Sequence, residues 1–378
     1  MREGILIAFG ELFLKSERVR NIFLKKLVQN ISSSLKRENI EFKIFPMRER
    51  IFVETQQNKA EKIIQNVFGI SWFTRAIFLE DGLEKLLDFV EKNYEKWIKE
   101  HQTFAIRLKK GNLEKSSEEI IKKVAEKIDR KVDLEKPDVE LFLEARKAGW
   151  FIYFNKKKGK GGLPVGTGGK TLALISGGID SPVASYLIAK RGSENVWIHF
   201  HSFPLVSNSS IEKVRELAKI FLNFQPHLKI HFIPFHKIQM KVKTLVEAKY
   251  RILIYRRMML RIAEEIARRE GCEGIVTGES LAQVSSQTLR NLRIIEEVTS
   301  LPILRPLIGM DKEEIVKLAK KIGTYEISIK PQEDCCTLFT PKHASAAGNL
   351  ELVKKLEKKL KVEEMVRKAL EEAETEFY

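Results

Sequence analysis

The stretch from Thr171 to Ser185 constrains the fold more than any other part of the sequence. Its residues are Thr-Leu-Ala-Leu-Ile-Ser-Gly-Gly-Ile-Asp-Ser-Pro-Val-Ala-Ser. The apolar run at its start is typical of a strand, and the apolar periodicity after it predicts a helix beginning at Pro182, since proline suits the first helical position. Paired glycines let a backbone approach an anion closely, and a helix N-terminus attracts negative charge. The stretch therefore predicts a strand–loop–helix unit that binds phosphate.

The loop supplies two further donors, because the hydroxyls of Ser176 and Ser181 flank Gly177 and Gly178. Its pattern resembles the SGGxDS loop of ATP pyrophosphatases, which cleave ATP between the α and β phosphates. An ordinary glycine-rich turn is the alternative, and the position between a strand and a helix favours the nucleotide loop. The upstream stretch Pro164–Thr171 lacks the first glycine of a P-loop and opens a strand rather than a helix, so we interpret it as linker.

Composition favours a basic protein with more than one domain. The length of 378 residues predicts two or three domains. The chain shows no apolar run near the ~20 residues of a membrane helix, no signal peptide and only three cysteines, so we expect a cytoplasmic protein without membrane attachment. Residues 1–170 hold 35 Lys and Arg against 25 Asp and Glu. This excess favours a polyanionic partner such as nucleic acid, while a heat-adapted surface of ion pairs is the alternative.

Two small α/β regions are predicted before residue 161. The order strand–helix–strand–strand–helix indicates a ferredoxin-like domain over 1–71, and a second region follows over 72–160. The predicted strands are 5–9, 41–45, 51–54, 103–109, 138–144 and 149–154, and the predicted helices are 17–37, 58–68, 82–100 and 118–130. Residues 155–170 contain six Gly and five Lys. They predict a linker that acts as a hinge or lies along a phosphate backbone.

From residue 171 onward strands and helices alternate, which predicts a doubly wound parallel sheet over 161–378. The predicted strands are 171–175, 196–200, 228–233 and 274–277, and the predicted helices are 181–191, 210–222, 237–270 and 311–322. Ligands of such sheets bind beyond the carboxyl ends of the strands. The charged segment 350–376 predicts a helical tail that packs through Leu352, Leu356, Leu360 and Met365.

Three segments near those strand ends carry groups suited to a nucleotide. His199, Phe200 and His201 end one strand, where a ring can stack on adenine, and a metal site is the weaker alternative because no third ligand is near. The helical segment Tyr250–Met259 offers arginines with forked donors for phosphate, or else a solvated basic face. The polar loop Thr277–Thr288 begins beside a glycine that permits close ligand approach.

The adjacent pair Cys335 and Cys336 carries the remaining chemistry. In an extended segment the two side chains point to opposite sides, so one can face a site while the other packs. A disulfide between neighbours is strained, because consecutive Cα atoms lie ~3.8 Å apart, below the usual ~4.4–6.8 Å. Two buried thiols are the alternative, and Cys272 is interpreted as a packing residue.

Together these segments resemble the bacterial tRNA 4-thiouridine synthetases over nearly the whole chain. The matching motifs are Gly10–Ser16, Phe68–Ile70, Gly161–Gly166, Ser176–Ser181, Tyr255–Arg257, Thr277–Thr288, Leu304–Leu307, Asp311 with Lys312, and Asp334–Cys336. The resemblance implies an N-terminal ferredoxin-like domain (1–71), an RNA-binding THUMP domain (72–160) and a doubly wound ATP-pyrophosphatase or PP-loop domain (161–378).

The resemblance also implies roles for individual residues. Asp180 would organise Mg²⁺ and pyrophosphate, Lys312 would support activity, and Cys335 or Cys336 would carry sulfur, with the register of Leu338-Phe339 favouring Cys336. Contacts with ATP are implied for Leu174, Ile175, Ser176, Gly177, Gly178, Ser181, His199, Phe200, Arg257, Gly278 and Gln287. No cluster of protein ligands for a metal is expected.

The implied reaction is adenylation of O4 of uridine 8 in tRNA, followed by its replacement with persulfide sulfur to give 4-thiouridine. The implied partners are tRNA, a cysteine desulfurase as sulfur donor and a second copy of the chain. Some relatives carry a C-terminal rhodanese domain, for which no room is expected before Tyr378, so the resolution of the disulfide and a role in thiamine synthesis stay open. Another PP-loop tRNA thiolase and a non-catalytic RNA-binding protein are the alternatives.

Overall fold

Two compact units, Met1–Gly162 and Leu163–Tyr378, make up the chain. The computed structural model describes residues 1–10, 16–80, 82–111, 116–331, 339 and 345–378. The cysteine pair of the sequence analysis, Cys335 and Cys336, lies outside the described residues. Across the described ranges, no helix has the length and apolar character needed to cross a bilayer.

A single mixed sheet forms the framework of the N-terminal unit. The elements in chain order are β1 (Arg2–Phe9), α1 (Glu17–Arg37), β2 (Lys43–Pro46), β3 (Ile51–Glu54), α2 (Lys59–Asn66), β4 (Ile70–Glu80), α3 (Leu83–Trp97), β5 (Phe104–Lys109), α4 (Ser117–Ala125), β6 (Val139–Arg146), β7 (Gly149–Tyr153) and β8 (Lys157–Lys158). The strands lie in the order β2-β3-β1-β4-β7-β6-β5, and β8 pairs with β4. Strands β5 and β6 are parallel, whereas the other pairs are antiparallel.

Strand β4 joins the two predicted N-terminal regions into that sheet. Most of its length pairs with β1, and its last residues pair with β7. This strand was not predicted from the sequence. The predicted domain boundary between residues 71 and 72 falls inside it. Part of the predicted linker also belongs to the sheet, because Lys157 and Lys158 pair with Phe73 and Trp72.

The helices of the N-terminal unit pack on one face of its sheet. Helices α1 and α2 pack on β1, β3 and the start of β4, while α3 and α4 pack on β5, β6 and β7. Along β4, Phe73 and Leu79 belong to these helix-covered clusters. Side chains alternate across a strand, so Phe78 points to the other face. Its cluster draws on strands alone among the described residues: Leu6, Phe52, Ala76, Phe78, Phe151 and Tyr153.

The C-terminal unit is built around a six-stranded sheet. Its elements are β9 (Lys170–Leu174), α5 (Asp180–Lys190), β10 (Glu194–His201), α6 (Ser209–Phe221), β11 (Lys229–Pro234), α7 (His236–Leu245), α8 (Arg251–Glu270), β12 (Gly274–Val276), α9 (Leu289–Glu296), β13 (Ile303–Leu304), α10 (Lys312–Ile322), α11 (Tyr325–Ser328), α12 (Leu350–Glu357), α13 (Val362–Glu371) and β14 (Glu374–Phe377). The strand order is β13-β12-β9-β10-β11-β14. The first five strands are parallel, and β14 runs antiparallel to β11.

Helices cover both faces of this sheet, which confirms the predicted doubly wound fold. Helices α7, α8, α12 and α13 pack on Leu172, Val196 and Ile198 in one large cluster. The next residue along β10, Trp197, points to the opposite face, where its Nε1 donates to Oγ of Ser185 on α5. The carboxyl ends of β9, β10 and β12 therefore open onto one edge, as the alternation of elements predicts.

Four elements of the C-terminal unit named below differ from their predictions. The single helix predicted over 237–270 is two helices, because a 3₁₀ turn at Ala248–Tyr250 interrupts it. The predicted helical tail 350–376 ends in strand β14, whose Glu376 pairs with Arg215 of α6. Helix α9 and strand β13 were not predicted, since each is too short to show a periodicity. The apolar stripe of the tail is confirmed, because Leu356 and Leu360 are buried against α8.

Candidate active site

The predicted phosphate loop closes on itself through its two serines. The backbone N–H of Ser176 donates to Oγ of Ser181 at 3.1 Å, and the two hydroxyl oxygens lie 3.3 Å apart. The N–H of Gly178 donates to Oγ of Ser176 at 3.3 Å. Gly177 has a φ of 83°, a left-handed conformation that favours glycine. These residue types therefore form a tight turn directly after Leu174 and Ile175.

Helix α5 begins at Asp180, earlier than predicted. The prediction that Pro182 is the first helical residue was wrong, because Asp180 and Ser181 already belong to the first turn. Proline is tolerated at the third position, since the first four N–H groups of a helix have no partner within the helix. The partial positive charge of the helix N-terminus is therefore adjacent to the serine–glycine loop.

Gly278, at the end of β12, lies directly against the start of α5. A Cβ atom at this position would lie 2.8 Å from the backbone nitrogen of Ser181 and 2.9 Å from the carbonyl carbon of Asp180. Such distances to backbone atoms exclude any larger residue without movement of one segment. The predicted close approach at Gly278 is thus an approach to the loop–helix junction itself.

Asp180 connects three elements of the edge. Its Oδ1 accepts a hydrogen bond from Nζ of Lys312 at 2.6 Å, and its Oδ2 accepts from Nε2 of Gln283 at 3.0 Å. Lys312 is the first residue of α10, which Asp311 and Glu314 fix through a reciprocal capping box. The structure brings Asp180 and Lys312 together, a contact that was not predicted, and it adds Gln283 from the polar loop Thr277–Thr288.

Glu279 forms the centre of a second network beside Gly278. Its carboxylate accepts hydrogen bonds from Nη1 of Arg256 at 2.6 Å, from Nε of Arg305 at 2.7 Å and from Oγ1 of Thr277 at 3.0 Å. The sequence alone allows Arg256 to be either a phosphate donor or part of a solvated basic face, and it assigns no role to Glu279. The signal that could have found Glu279 is its position directly after the glycine that ends β12.

Arg257 does not take part in the network around Glu279. Its guanidinium is 1% exposed and donates to Glu357, to Glu297 and to the carbonyl of Ile294. Burial opposes the ionisation of Glu357, yet the hydrogen bonds from Arg261 and Arg257 outweigh burial and lower its pKa. One residue corresponds to ~100° around a helix. Arg256 therefore points toward the loop after β12, while Arg257 points into the packing of α9 and α12.

His199 and Phe200 line the edge mainly through their backbone. The two ring nitrogens of His199 lie 2.7 Å from the carbonyl oxygen of Ile175 and 3.1 Å from Oγ of Ser210. Burial lowers the pKa of His199 to about 4, so the ring is neutral at pH 7 and donates to Ile175 from Nδ1. Both nitrogens are thus engaged, which leaves no basis for metal binding by this side chain. Phe200 packs on Phe235 in the core.

Gln287 offers an open hydrogen-bonding position at the edge. The residue is 7% exposed, and its Oε1 has no hydrogen-bond partner within the described ranges. A buried polar atom without a partner costs ~1–3 kcal/mol, so such atoms commonly face a ligand or a water. Together with the loop donors and Lys312, this donor and acceptor set fits a nucleoside polyphosphate such as ATP.

Side chains of the C-terminal unit hold both flanks of the cysteine segment. Nζ of Lys213 donates to the carbonyls of Ser328 and Lys330, which lie before the pair. After the pair, Nη1 of Arg251 donates to the carbonyl of Phe339 at 3.0 Å. Farther along, Nδ2 of Asn291 donates to the carbonyl of Ser345 at 2.9 Å.

Three family models match successive parts of the chain. The ThiI ferredoxin-like domain matches residues 4–74, the THUMP domain matches 83–155, and the thiamine biosynthesis protein (ThiI) model matches 166–362. The last match covers about half of the chain and includes the serine–glycine loop, Gly278 and Lys312.

Known proteins resemble the chain over its full length. A probable tRNA sulfurtransferase of Caldanaerobacter subterraneus subsp. tengcongensis is 40% identical, with 97% of each chain covered, and one of Staphylococcus aureus strain JH1 is 37% identical, with 99% of this chain and 94% of the relative covered. A crystal structure of a 4-thiouridine synthetase–RNA complex with bound ATP is 34% identical, with a TM-score of 0.90 and full coverage of both chains. The chain therefore belongs to the ThiI family, whose curated relatives are named tRNA sulfurtransferases.

Proposed function

We propose that the chain is an ATP-dependent tRNA sulfurtransferase that converts uridine 8 of tRNA into 4-thiouridine. The observation that carries the proposal is the meeting of the serine–glycine loop, Asp180 and Lys312 at one sheet edge. Family membership supports the same activity, since relatives similar over the whole chain are named tRNA sulfurtransferases. The proposal assigns ATP to this edge of the C-terminal unit.

The first step is activation of the uridine carbonyl. O4 of uridine attacks the α-phosphorus of ATP, and pyrophosphate leaves. The N–H groups of Gly177 and Gly178 and the N-terminus of α5 bind the departing charge, together with Nζ of Lys312. Hydrogen-bond donors that are held in place where negative charge develops in the transition state commonly make the largest contribution to catalysis. The product of this step is a uridine whose former carbonyl oxygen has become part of a good leaving group, AMP.

Asp180 is the residue that would hold Mg²⁺. A carboxylate together with phosphate oxygens is the usual ligand set of this ion, which would neutralise phosphate charge when bound. Nζ of Lys312 donates a hydrogen bond to Oδ1 of the same carboxylate. We therefore propose that Lys312 and Asp180 act as one unit on the pyrophosphate.

The adenosine part lies against the ends of β9 and β10. We propose contacts from the backbones of Leu174, Ile175, His199 and Phe200, and from the open Oε1 of Gln287. Arg256 replaces Arg257 in this proposal, because Arg256 reaches Glu279 beside Gly278 whereas Arg257 is enclosed by carboxylates. The neutral ring of His199 donates a hydrogen bond to the carbonyl of Ile175, which ties the end of β10 to the end of β9.

The second step is sulfur transfer. A persulfide on Cys335 or Cys336 attacks C4 through its terminal sulfur, and AMP leaves. Attack by a second thiol on the remaining sulfur–sulfur bond releases 4-thiouridine and leaves a disulfide, which a thiol reductant then returns to the thiols. We propose Cys336 as the sulfur carrier and a cysteine desulfurase as the source of persulfide. The anchors at Lys330 and Phe339 hold the two flanks of this segment.

The N-terminal unit is proposed to bind tRNA. Its excess of Lys and Arg suits a polyanion, and recognition of folded RNA depends on shape and phosphates. We propose domains at 1–71, 72–160 and 161–378 within the two units, and a homodimer as the working assembly. The solved 4-thiouridine synthetase complex contains RNA and bound ATP, which supports both ligands.

Release of AMP separates this function from its alternatives. With tRNA present, the wild-type chain is expected to form AMP and pyrophosphate, whereas a non-catalytic RNA-binding protein forms neither. Another PP-loop tRNA thiolase would form AMP but would place sulfur at a different position of the nucleoside. The Cys336→Ser variant is expected to keep AMP formation and lose thiolation, and Cys272→Ser, a buried thiol of the same unit, is its matched control.

A further inference from the structure

The helix-free face of the N-terminal sheet carries an aromatic cluster formed by Trp72, Phe142 and Tyr153. The rings of Phe142 and Tyr153 are stacked, with centroids 5.2 Å apart and planes at 2°. Trp72 lies 5.9 Å from Tyr153. Trp72 and Phe142 are half-buried, so part of each ring remains accessible. No residue of this cluster takes part in the proposed activation or sulfur transfer.

The side chain of Lys156 lies over the cluster. Its Nζ is 4.0 Å from the ring centroid of Phe142, 5.2 Å from Trp72 and 5.7 Å from Tyr153. Burial and the positive charge of Arg50 lower the pKa of Lys156. Attraction to three aromatic rings offsets part of this penalty. Lys156 thus lies over the accessible parts of Trp72 and Phe142, while Tyr153 is 3% exposed and supports the ring stacked on it.

A buried network of ion pairs contacts the aromatic cluster. The guanidinium of Arg50 lies 4.9 Å from the centroid of Trp72 and donates to Oε2 of Glu144 at 3.1 Å. Glu144 has no exposed surface, and Nε of Arg146 donates to its other oxygen at 2.8 Å. Arg50 is 7% exposed, and its Nε has no hydrogen-bond partner in the part of the chain that the structure describes. A buried ion pair of this kind adds little net stability, and its Arg50 lies directly against the ring of Trp72.

The charge beside the cluster favours an anionic occupant. Residues 155–170 contain five lysines and no Asp or Glu, and Lys156 opens this run. Within it, Lys157 and Lys158 pair through their backbones with Phe73 and Trp72, so the start of this run lies beside the rings. Partly exposed rings next to lysines match the way in which proteins bind unpaired nucleotides, with bases stacked on rings and phosphates on cations. Bases inside a duplex do not present their faces in this way.

We propose that the cluster of Trp72, Phe142 and Tyr153 binds an unpaired nucleotide of RNA, with Lys156 moving from the rings to the adjacent phosphate. The inference rests on the proposed function, because it assumes an RNA substrate. It adds a location and a mode of binding: base stacking on the helix-free face of the N-terminal sheet.

Fluorescence of the full-length protein tests the stacking contact. Titration with a short single-stranded RNA is expected to quench tryptophan emission, because a stacked base quenches indole. Trp72→Phe is expected to lose most of the quenching while it keeps RNA affinity within a few fold, since a ring remains. Trp97→Phe is the matched control, because Trp97 packs with Phe89 on the helix-covered side. Unchanged quenching in Trp72→Phe overturns the inference.

Affinity measurements test the two kinds of contact separately. Trp72→Ala is expected to weaken binding of single-stranded RNA by about 5- to 100-fold, with the salt dependence unchanged. Lys156→Ala is expected to lower the slope of log affinity against log salt by ~0.7, the value for one phosphate on a single strand. Lys96→Ala, an exposed lysine of α3, is the control. A blunt-ended duplex is expected to be insensitive to Trp72→Ala.

Two outcomes contradict the inference while leaving the enzyme assignment intact. Equal loss of duplex and single-strand binding in Trp72→Ala, with an unchanged melting temperature, would show a contact that does not depend on stacking. A change in oligomeric state with unchanged RNA affinity would assign the face to a second copy of the chain. Formation of 4-thiouridine by the wild type is scored in parallel and reports on the enzyme assignment alone.

Discussion

Nζ of Lys312 lies 2.6 Å from Oδ1 of Asp180, although 132 residues separate the two in the sequence. Asp180 begins the helix after the serine–glycine loop, and Lys312 begins α10. Gln283 from the loop after β12 holds the second carboxylate oxygen. Three separate elements thus orient one carboxylate at the edge where we propose that the phosphates of ATP bind.

Lys312→Met is expected to lower the rate of tRNA-dependent pyrophosphate release by ~100-fold, because it removes a fixed positive charge next to the proposed position of the pyrophosphate. The melting temperature should change little, since the lysine is about half exposed. Lys317→Met, an exposed lysine of the same helix, is the control and should retain the wild-type rate. Equal rates in the two variants would remove Lys312 from the mechanism.

Gly278→Ala is expected to impair ATP turnover without loss of RNA binding. The added Cβ would lie 2.8 Å from the nitrogen of Ser181, so the start of α5 or the end of β12 must move. A displaced phosphate site should appear as a raised KM for ATP together with a lowered kcat. Gly309→Ala is the control, because nothing lies within 4 Å of a Cβ at that position. Wild-type kinetics in Gly278→Ala would show that the close contact has no role in binding.

The site was predictable where local pattern determines it. The strand before Ser176, the glycines and Asp180 follow from a short motif, and the parallel sheet follows from alternating elements. Strand β4 was missed, because its apolar residues continue on both faces and show no clear alternation. The choice between Arg256 and Arg257 depends on the rotation of α8 against α9 and α12, which only tertiary packing determines. Gln283 and Arg305 contact Asp180 and Glu279 from distant parts of the sequence, and these pairings carry no local signal.

Substitution of the neighbouring arginines is expected to separate catalysis from stability. Arg257→Met removes two hydrogen bonds to the buried carboxylate of Glu357 and leaves Arg261 as its remaining partner, so we expect the free energy of unfolding of the C-terminal unit to fall by about 2 kcal/mol. Arg256→Met should lower pyrophosphate release and cost less stability, because Arg256 is partly exposed and Arg305 and Thr277 still donate to Glu279. Urea unfolding and single-turnover assays on both variants check the pair. The reverse pattern would restore Arg257 to the nucleotide site.

Acid is expected to destabilise the C-terminal unit through His199. Its pKa is about 4 in the folded chain and ~6.5 when unfolded, so the unfolded chain binds the proton first. The stabilisation is complete above pH ~6.5 and is lost as pH falls toward 4, by up to about 3 kcal/mol. Urea unfolding at pH 7.5 and 5.0 should show a smaller difference in His199→Gln than in the wild type. His227→Gln, at an exposed position, should keep the full difference.

Mass spectrometry of tRNA nucleosides tests the central claim most directly. Unmodified tRNA is incubated with the protein, ATP, Mg²⁺, a cysteine desulfurase, cysteine and a thiol reductant, and then digested to nucleosides. The wild type is predicted to form 4-thiouridine at position 8, and Asp180→Ala is predicted to bind tRNA normally and form none. Absence of 4-thiouridine with the wild type under normal tRNA binding, or full activity of Asp180→Ala, would contradict the account.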